Sequence, residues 1–331
     1  MNPRLSALVA TARVVSIPLR TKFRGINERE LLVFEGPNGW SEWAAFPEYS
    51  DDEAASWLAA AIEWAYGYLP TTKRTQVAVN AILPAVAEGE VAKVLSRAGK
   101  FETVKVKVAE PGQTIGEDLA RLLEVKSLYP ETKLRLDANG SYEIAAAMEL
   151  IEKLAGEGIE LEYFEQPVQS IAELAELKIE ISKRGFATLI AADESVRKSS
   201  DPLAVELAEA CDILVLKSAP LGGVVSALEI AASSKLPIVP SSAMQSSIGL
   251  AAELHFAASL ETLEFDAGLG TMNLFAGDLV KDSLKPVGGV LEVRRPELNN
   301  SSLDTFKAEE HRYDWWIERL ERCGELIGLE A

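Results

Sequence analysis

Five charged residues close five successive β-like segments in the middle of the chain. Lys107 stands at the end of TVKVKV, Asp137 of TKLRLD, Glu165 of LEYFE, Asp193 of TLIAAD and Lys217 of DILVLK. They lie 30, 28, 28 and 24 residues apart, which is about one strand, one helix and two short loops. A βα-barrel assembles its site from such units, because the C-terminal tips of its parallel strands converge at one mouth. Two of the five are amines and three are carboxylates. Three carboxylates at one point repel each other unless a hard cation stands between them. The spacing therefore predicts an architecture and a chemistry together.

The rest of the chain fits around that period. Residues 9–19 and 29–35 alternate as strands, with RTKFRGIN read as the loop between them; GPNGW is a turn before SEWAAF, and residues 51–67 form a helix capped by Asp51 or Asp52. From about residue 76 strands and helices alternate. TQVAVNAILPA is the first barrel strand, followed by a helix over EGEVAKVLSRAG that ends at Gly99. Further strands are predicted near 103–108, 133–137, 161–165, 188–193, 213–217, 237–241 and 262–266. Helices are predicted at 114–128, 141–155, 170–184, 201–210, 222–234 and 246–259. Most of the strands are apolar on both faces, as buried parallel strands are. The predicted fold is α/β: a modified (β/α)7β TIM-type barrel over 76–290 with an α+β capping domain over 1–75. Residues 291–331, ending in the amphipathic HRYDWWIERLERCGELIGLE, are expected to pack back on the capping domain.

Composition narrows the partners. Among the 331 residues 48% are hydrophobic and 25% charged, an ordinary soluble balance. A formal charge of −18 argues against nucleic acid and anionic membranes. It leaves room for a small-molecule carboxylate substrate, since a local cluster of lysines attracts an anion whatever the net charge. No apolar run reaches the length of a membrane span. Arg13 interrupts LSALVATARVVSIPL, which reads as a strand and not a signal peptide. Cys211 and Cys323, far apart and in no ligand spacing, fit the reducing cytoplasm. Oligomeric state is left open.

Taken singly, each site residue has a plain alternative. Lys105 and Lys107 share one strand face while Val104, Val106 and Val108 take the other; a solvated edge strand is the bland reading. Arg135 and Asp137 share a face by the same logic, but DANG, with Asn139, is also an ordinary turn sequence. Glu165 in FEQP precedes a proline loop. Asp193 and Glu194 in ADES are a possible helix cap. A lysine such as Lys217 at the end of an apolar strand has little structural purpose. Gly222 and Gly223 form a tight turn or offer amides to a substrate carboxylate. Ser241 and Ser242 cap a helix or bind that carboxylate. Phe23 and Arg24 sit on the N-terminal loop. His255 and His311 fall in predicted helices, away from any strand tip.

Together KVK, RLDANG, FEQP, ADES and VLKSAPLGG resemble the enolase superfamily, in its muconate-lactonizing-enzyme-like group with paired lysines. The stretch FRGINERELLVFEGPNGWSEWAAFPEYSDDEAASWL is similar to the o-succinylbenzoate synthases of menaquinone biosynthesis, particularly the actinobacterial ones. The resemblance implies one Mg²⁺, or Mn²⁺ in its place, on Asp137, Glu165 and Asp193. It implies Lys107 as acid and base, with Lys105 beside it, and Lys217 on the opposite face of the substrate. Phe23 and Arg24 would belong to a lid, and Arg135, Asn139, Gly222, Gly223, Ser241 and Ser242 would surround the substrate. The implied reaction is dehydration of 2-succinyl-6-hydroxy-2,4-cyclohexadiene-1-carboxylate to o-succinylbenzoate through an enediolate. N-succinylamino acid racemase or dipeptide epimerase activity is the alternative within the superfamily, and a metal-free Schiff-base aldolase a distant one. Where GWSEWAAF stands, the family pattern resembles GWGEFSPF, so Ser41, Ala44 and Ala45 are expected to reshape the lid.

Overall fold

A computed structural model describes residues 3–23, 25–197 and 205–330. The chain opens with α1 (Leu5–Thr11), a short helix that buries Leu8. An antiparallel sheet follows: β1 (Arg13–Phe23), β2 (Ile26–Gly36) and β3 (Gly39–Trp43) in the order β1-β2-β3. The expected strand at 9–19 thus begins as a helix. The expected loop RTKFRGIN is largely strand, because β1 and β2 continue until Phe23 pairs with Ile26. α2 (Asp51–Tyr66) packs on this sheet; its cap is Ser50, whose side chain accepts from the Glu53 amide at 3.3 Å, and not Asp51 or Asp52.

The barrel is built in sequence order. β4 (Gln76–Ala78) and β5 (Ala81–Leu83) are followed by α3 (Val91–Leu95), β6 (Thr103–Lys107), α4 (Ile115–Leu128), β7 (Lys133–Asp137) and α5 (Ile144–Gly156). Next come β8 (Leu161–Glu165), α6 (Ile171–Lys183), β9 (Ile190–Ala192), α7 (Glu194–Arg197) and α8 (Val205–Ala210). β10 (Ile213–Leu216), α9 (Val224–Ser233), β11 (Ile238–Pro240) and α10 (Ser247–Ser259) complete the alternation. Seven parallel strands run in order from β5 to β11. The ring is closed by single bridges, Ser241 to Gly268 on one edge and Ala267 to Val79 on the other.

Two barrel expectations are corrected. The eighth strand, expected at 262–266, is replaced by the bridging residues 267 and 268. The segment before them is fastened by side chains: Asp266 accepts from Thr103 Oγ1 at 2.6 Å, and its carbonyl accepts from Arg135 Nη1 at 2.6 Å. The first strand is split. Gln76–Ala78 pairs antiparallel with β12 (Val290–Glu292), and only Ala81–Leu83 joins the barrel. Of the helix expected at 201–210, residues 201–204 lie outside the described residues.

The tail carries α11 (Asn300–Thr305) and α12 (Glu310–Leu326). α12 lies on α2 and the three-stranded sheet. Trp316 stands edge-on to Trp43 with ring centroids 5.2 Å apart, and Arg319 donates to the Phe46 carbonyl at 3.1 Å. Truncating a wholly buried tryptophan such as Trp316 typically costs about 3–5 kcal/mol. Ser41, Ala44 and Ala45 are buried in this core, with Ser41 Oγ donating to the Ala61 carbonyl at 2.7 Å. They pack the capping domain and do not form a lid.

Candidate active site

Neighbouring parallel strands hold the charges in one layer. Lys107 is in register with Asp137, and Asp137 with Glu165. Asp193 and Lys217 each follow the last residue of the next two strands, β9 and β10. Counting β5 as the first of eight barrel positions, Lys107 rises from the second and Lys217 from the sixth. The two amines therefore stand across the mouth from each other, with the three carboxylates on the arc between them.

All six charged side chains, Lys105 included, are buried. Lys105 Nζ donates to both oxygens of Glu165, at 2.9 and 2.8 Å, and lies 3.3 Å from Asp137 Oδ2. Lys107 Nζ donates to Asp137 Oδ2 and Asn139 Oδ1, each at 2.5 Å, and sits 5.3 Å from the centroid of the Phe23 ring. Lys217 Nζ donates to Asp193 Oδ2. Burial alone would push the Lys105 ammonium down, but the Glu165 and Asp137 carboxylates raise it above the usual lysine range. The reverse holds at Glu165. Burial, then the Asp137 charge, push its carboxyl up to about 7 despite Lys105, and Asp193 adds to the push. Burial opposes ionisation of Asp137 as well, yet Lys107 and Lys105 hold it well below the usual carboxylate range.

Three carboxylates at neighbouring strand tips push against one another, and an added cation relieves that repulsion. The donors are all carboxylate oxygens, the set a hard divalent ion takes. As placed, each carboxylate is turned to a lysine. Among the described residues, no three acidic, histidine or cysteine side chains stand close enough together to ligate one ion. Ligation by Asp137, Glu165 and Asp193 therefore requires the lysines to yield part of their hold.

These side chains line a cavity of about 40 Å³ together with Phe23, Asn139, Ser241 and Ser242. Ser242 Oγ contacts Thr271 Oγ1 at 3.1 Å and donates to the Gly268 carbonyl at 3.3 Å. A wider groove of about 500 Å³ adjoins it, sharing Phe23, Lys107 and Asn139. Arg24 lies outside the described residues. Two sequence expectations fail. Arg135 does not reach the cavity; its guanidinium donates to Glu162, Asn80 Oδ1 and the Asp266 carbonyl inside the barrel, 4.7 Å from the Tyr163 ring. Gly222 and Gly223 do not offer amides to a ligand. Their N–H groups close a turn onto the Ala219 and Ser218 carbonyls. The free amides of α9 are taken by Glu63 of α2, which accepts from Val224 at 2.5 Å and Val225 at 3.1 Å.

Several residues carried no sequence signal. Gln166 Oε1 accepts from the Asp193 and Ser195 amides at 3.0 and 3.1 Å and so fixes the turn that presents Asp193. Glu253, wholly buried on α10, accepts from the Ser218 and Ala219 amides at 2.6 and 3.1 Å, just beyond Lys217. Backbone strain in the structure marks Gln166, though not Glu253. Among the described residues, the non-glycine positions with left-handed backbone are Ala109, Asn139, Gln166 and Met244, with φ between 37° and 60°. Each lies one to four residues beyond a barrel strand, where strain gathers at functional sites.

Fold and site together define a capped βα-barrel with two opposed amines and three carboxylates at its strand tips. Residues 87–297 match the family model described as enolase C-terminal domain-like, and residues 14–65 the one described as enolase N-terminal domain-like. The chain belongs to the enolase superfamily. The o-succinylbenzoate synthase of Mycobacterium tuberculosis (strain ATCC 25618 / H37Rv) is 46% identical over 325 residues, covering 98% of this chain and 97% of that protein. That of Mycobacterium ulcerans (strain Agy99) is 44% identical over 323 residues, covering 98% and 96%. Among solved structures, muconate cycloisomerase from Pseudomonas fluorescens superposes with a TM-score of 0.71 at 20% identity, covering 90% of this chain and 98% of that one. The 2-chloromuconate cycloisomerase from Rhodococcus opacus 1CP gives 0.72 at 19% identity, with the same coverage. At such identities the structural likeness speaks for the fold alone.

Proposed function

We propose that the protein is an o-succinylbenzoate synthase, eliminating water from 2-succinyl-6-hydroxy-2,4-cyclohexadiene-1-carboxylate. The placement of two lysines across the barrel mouth, with the carboxylate arc between them, carries the reaction class. The substrate is taken from the full-length likeness to the mycobacterial synthases.

A proton α to a carboxylate is poorly acidic, because its loss puts a second negative charge on the same group. Asp137, Glu165 and Asp193 would hold Mg²⁺, or Mn²⁺ in its place, which would supply positive charge against that build-up. Lys107, as the neutral amine, removes the α proton. The electron pair of that C–H bond first delocalises into the substrate carboxylate as a planar anion, and then forms the new ring double bond as the neighbouring C–O bond breaks. Lys107, now an ammonium, returns its proton to the departing hydroxide, so water leaves and the base is restored. Lys217 faces the planar anion from the opposite side and stabilises it by charge and by cation–π contact. Lys105, paired with Glu165, remains an ammonium throughout.

Opposed lysines are also what a racemase needs, one removing and one returning a proton. N-succinylamino acid racemization is the second reading on that ground. The substrate is in either case a small carboxylate. The free, buried Cys211 and Cys323 suit the cytoplasm, and no helix among the described residues is long and apolar enough to cross a membrane. The test is incubation with the cyclohexadiene carboxylate and Mg²⁺. Chromatographic appearance of o-succinylbenzoate, abolished by EDTA and restored by Mg²⁺, supports the synthase. Racemization of N-succinylamino acids without that product supports the second reading.

A further inference from the structure

We propose that Asp118 and Arg121, a buried ion pair on α4, are positioning residues that set where Lys107 stands. The proposal rests on Lys107 as the acid and base of the reaction above. Arg121 is wholly buried and spends its guanidinium on the loops behind Lys107. Nε donates to the Val86 carbonyl at 2.6 Å. Nη1 donates to the Lys107 carbonyl at 3.1 Å and to Asp118 Oδ1 at 2.7 Å, and Nη2 to Gln113 Oε1 at 2.5 Å. Gln113 in turn donates to the Ala85 carbonyl at 2.9 Å. The second oxygen of Asp118 accepts from the Ala109 amide at 2.9 Å and from the Tyr142 hydroxyl.

One ion pair thus grips the main chain at Lys107 itself and two residues beyond it. Between those points the chain leaves β6, and Ala109 takes a left-handed φ of 58°, which an alanine adopts only when its surroundings impose it. Through Tyr142 the grip extends to the loop after β7, whose tip carries Asp137 and Asn139, two partners of Lys107 Nζ. Through Val86 and Ala85 it extends to the loop after β5. Three successive barrel tips are therefore tied together behind one lysine. Neither Asp118 nor Arg121 lines the cavity or the adjoining groove, so each acts through the residues it holds, Lys107 first among them. Stability alone does not account for the arrangement, since well-packed apolar side chains often replace a buried ion pair without loss. A planar fork of five donors is suited to fixing several carbonyls at set angles.

The test is Arg121→Met, which keeps the length and apolar stem but removes every donor. Misplacement of a catalytic group by about 1 Å costs about 10²-fold in rate, and that loss is expected in kcat for o-succinylbenzoate formation. KM is expected to stay within about threefold, the pattern for an interaction felt in the transition state. Mg²⁺ affinity by calorimetry should be unchanged, because the three carboxylates are intact, and Arg121→Lys should recover part of the lost rate. A crystal structure of Arg121→Met should show the Lys107 ammonium displaced from Asp137 and Asn139. An unmoved Lys107, or kcat within about threefold of wild type, would overturn the proposal, as would equal loss of Mg²⁺ binding, which marks collapse of the whole site. Should Arg121→Met fail to fold, Tyr142→Phe removes only the hydroxyl from Asp118; a displaced Lys107 there supports the grip, and an unmoved one overturns it. Because the crystallographic position is read without turnover, a wild type that makes no o-succinylbenzoate would defeat the functional reading and leave this test standing.

Discussion

Lys105 and Lys107 are two residues apart on one strand, yet they keep different company. Lys105 is spent on both oxygens of Glu165 and is held charged. Lys107 shares one carboxylate oxygen and an amide oxygen beneath the Phe23 ring. Side by side on one strand they are like charges, yet the Glu165 carboxylate on β8, two strands away, turns Lys105 into a fixed counter-charge. Strand alternation shows which residues share a face, but not which partner across the barrel each one meets. Asp137→Asn, Glu165→Gln and Asp193→Asn should each weaken Mg²⁺ binding by about tenfold or more, since affinity follows the number of charged oxygen ligands. Calorimetry with unchanged affinity in all three would remove the metal assignment. Lys217→Arg keeps a cation against the planar anion and should retain measurable dehydration, whereas any racemization should be lost with it, because arginine does not surrender its proton. Equal loss of both activities would place proton transfer on Lys217.

At the scale of elements, the parallel strands were legible because most are apolar on both faces and five successive segments end in a charge. Asp137, Glu165, Asp193 and the lysines could be picked out for that reason. Contacts made across long sequence separations were not legible. Nothing in PLGG reveals that Glu63, on a helix of the other domain, occupies the amides of α9. Glu63→Ala should therefore behave as a lost helix cap, costing about 1–2 kcal/mol, with KM unchanged. A rise in KM with unaltered thermal stability would return those amides to the substrate. Glu42 is a second such contact. It is buried on β3 and accepts from the Ser246 amide at the start of α10 at 3.1 Å. Burial pushes its carboxyl from 4.5 up to about 8. The folded state therefore holds a proton that the unfolded chain releases, and stability falls as pH rises through that window. Tm measured between pH 5 and 8 should decline more steeply in the wild type than in Glu42→Gln, whose amide oxygen can still accept from Ser246. Parallel curves would show that Glu42 ionises in the native protein as it does in the unfolded one.

For the whole molecule, the βα period announced a barrel, while the way the ring closes and the cap sits on it emerged only in three dimensions. The eighth barrel position rests on two bridges and on the side chains of Asp266 and Arg135, a closure that no local propensity encodes. The cap reaches the barrel mouth through Glu42, Glu63 and Arg29, whose Nε donates to the carbonyl of the strained Met244 at 3.1 Å. It brings Phe23 over Lys107, so that lysine is enclosed by residues from both parts of the chain. The account stands on that lysine acting as both base and acid. The direct measurement is the rate of o-succinylbenzoate formation by Lys107→Ala at saturating substrate and Mg²⁺. General acid–base catalysis is worth about 10²–10⁴-fold, and one residue serving two steps should lose at least that. A rate within about tenfold of wild type would contradict the account.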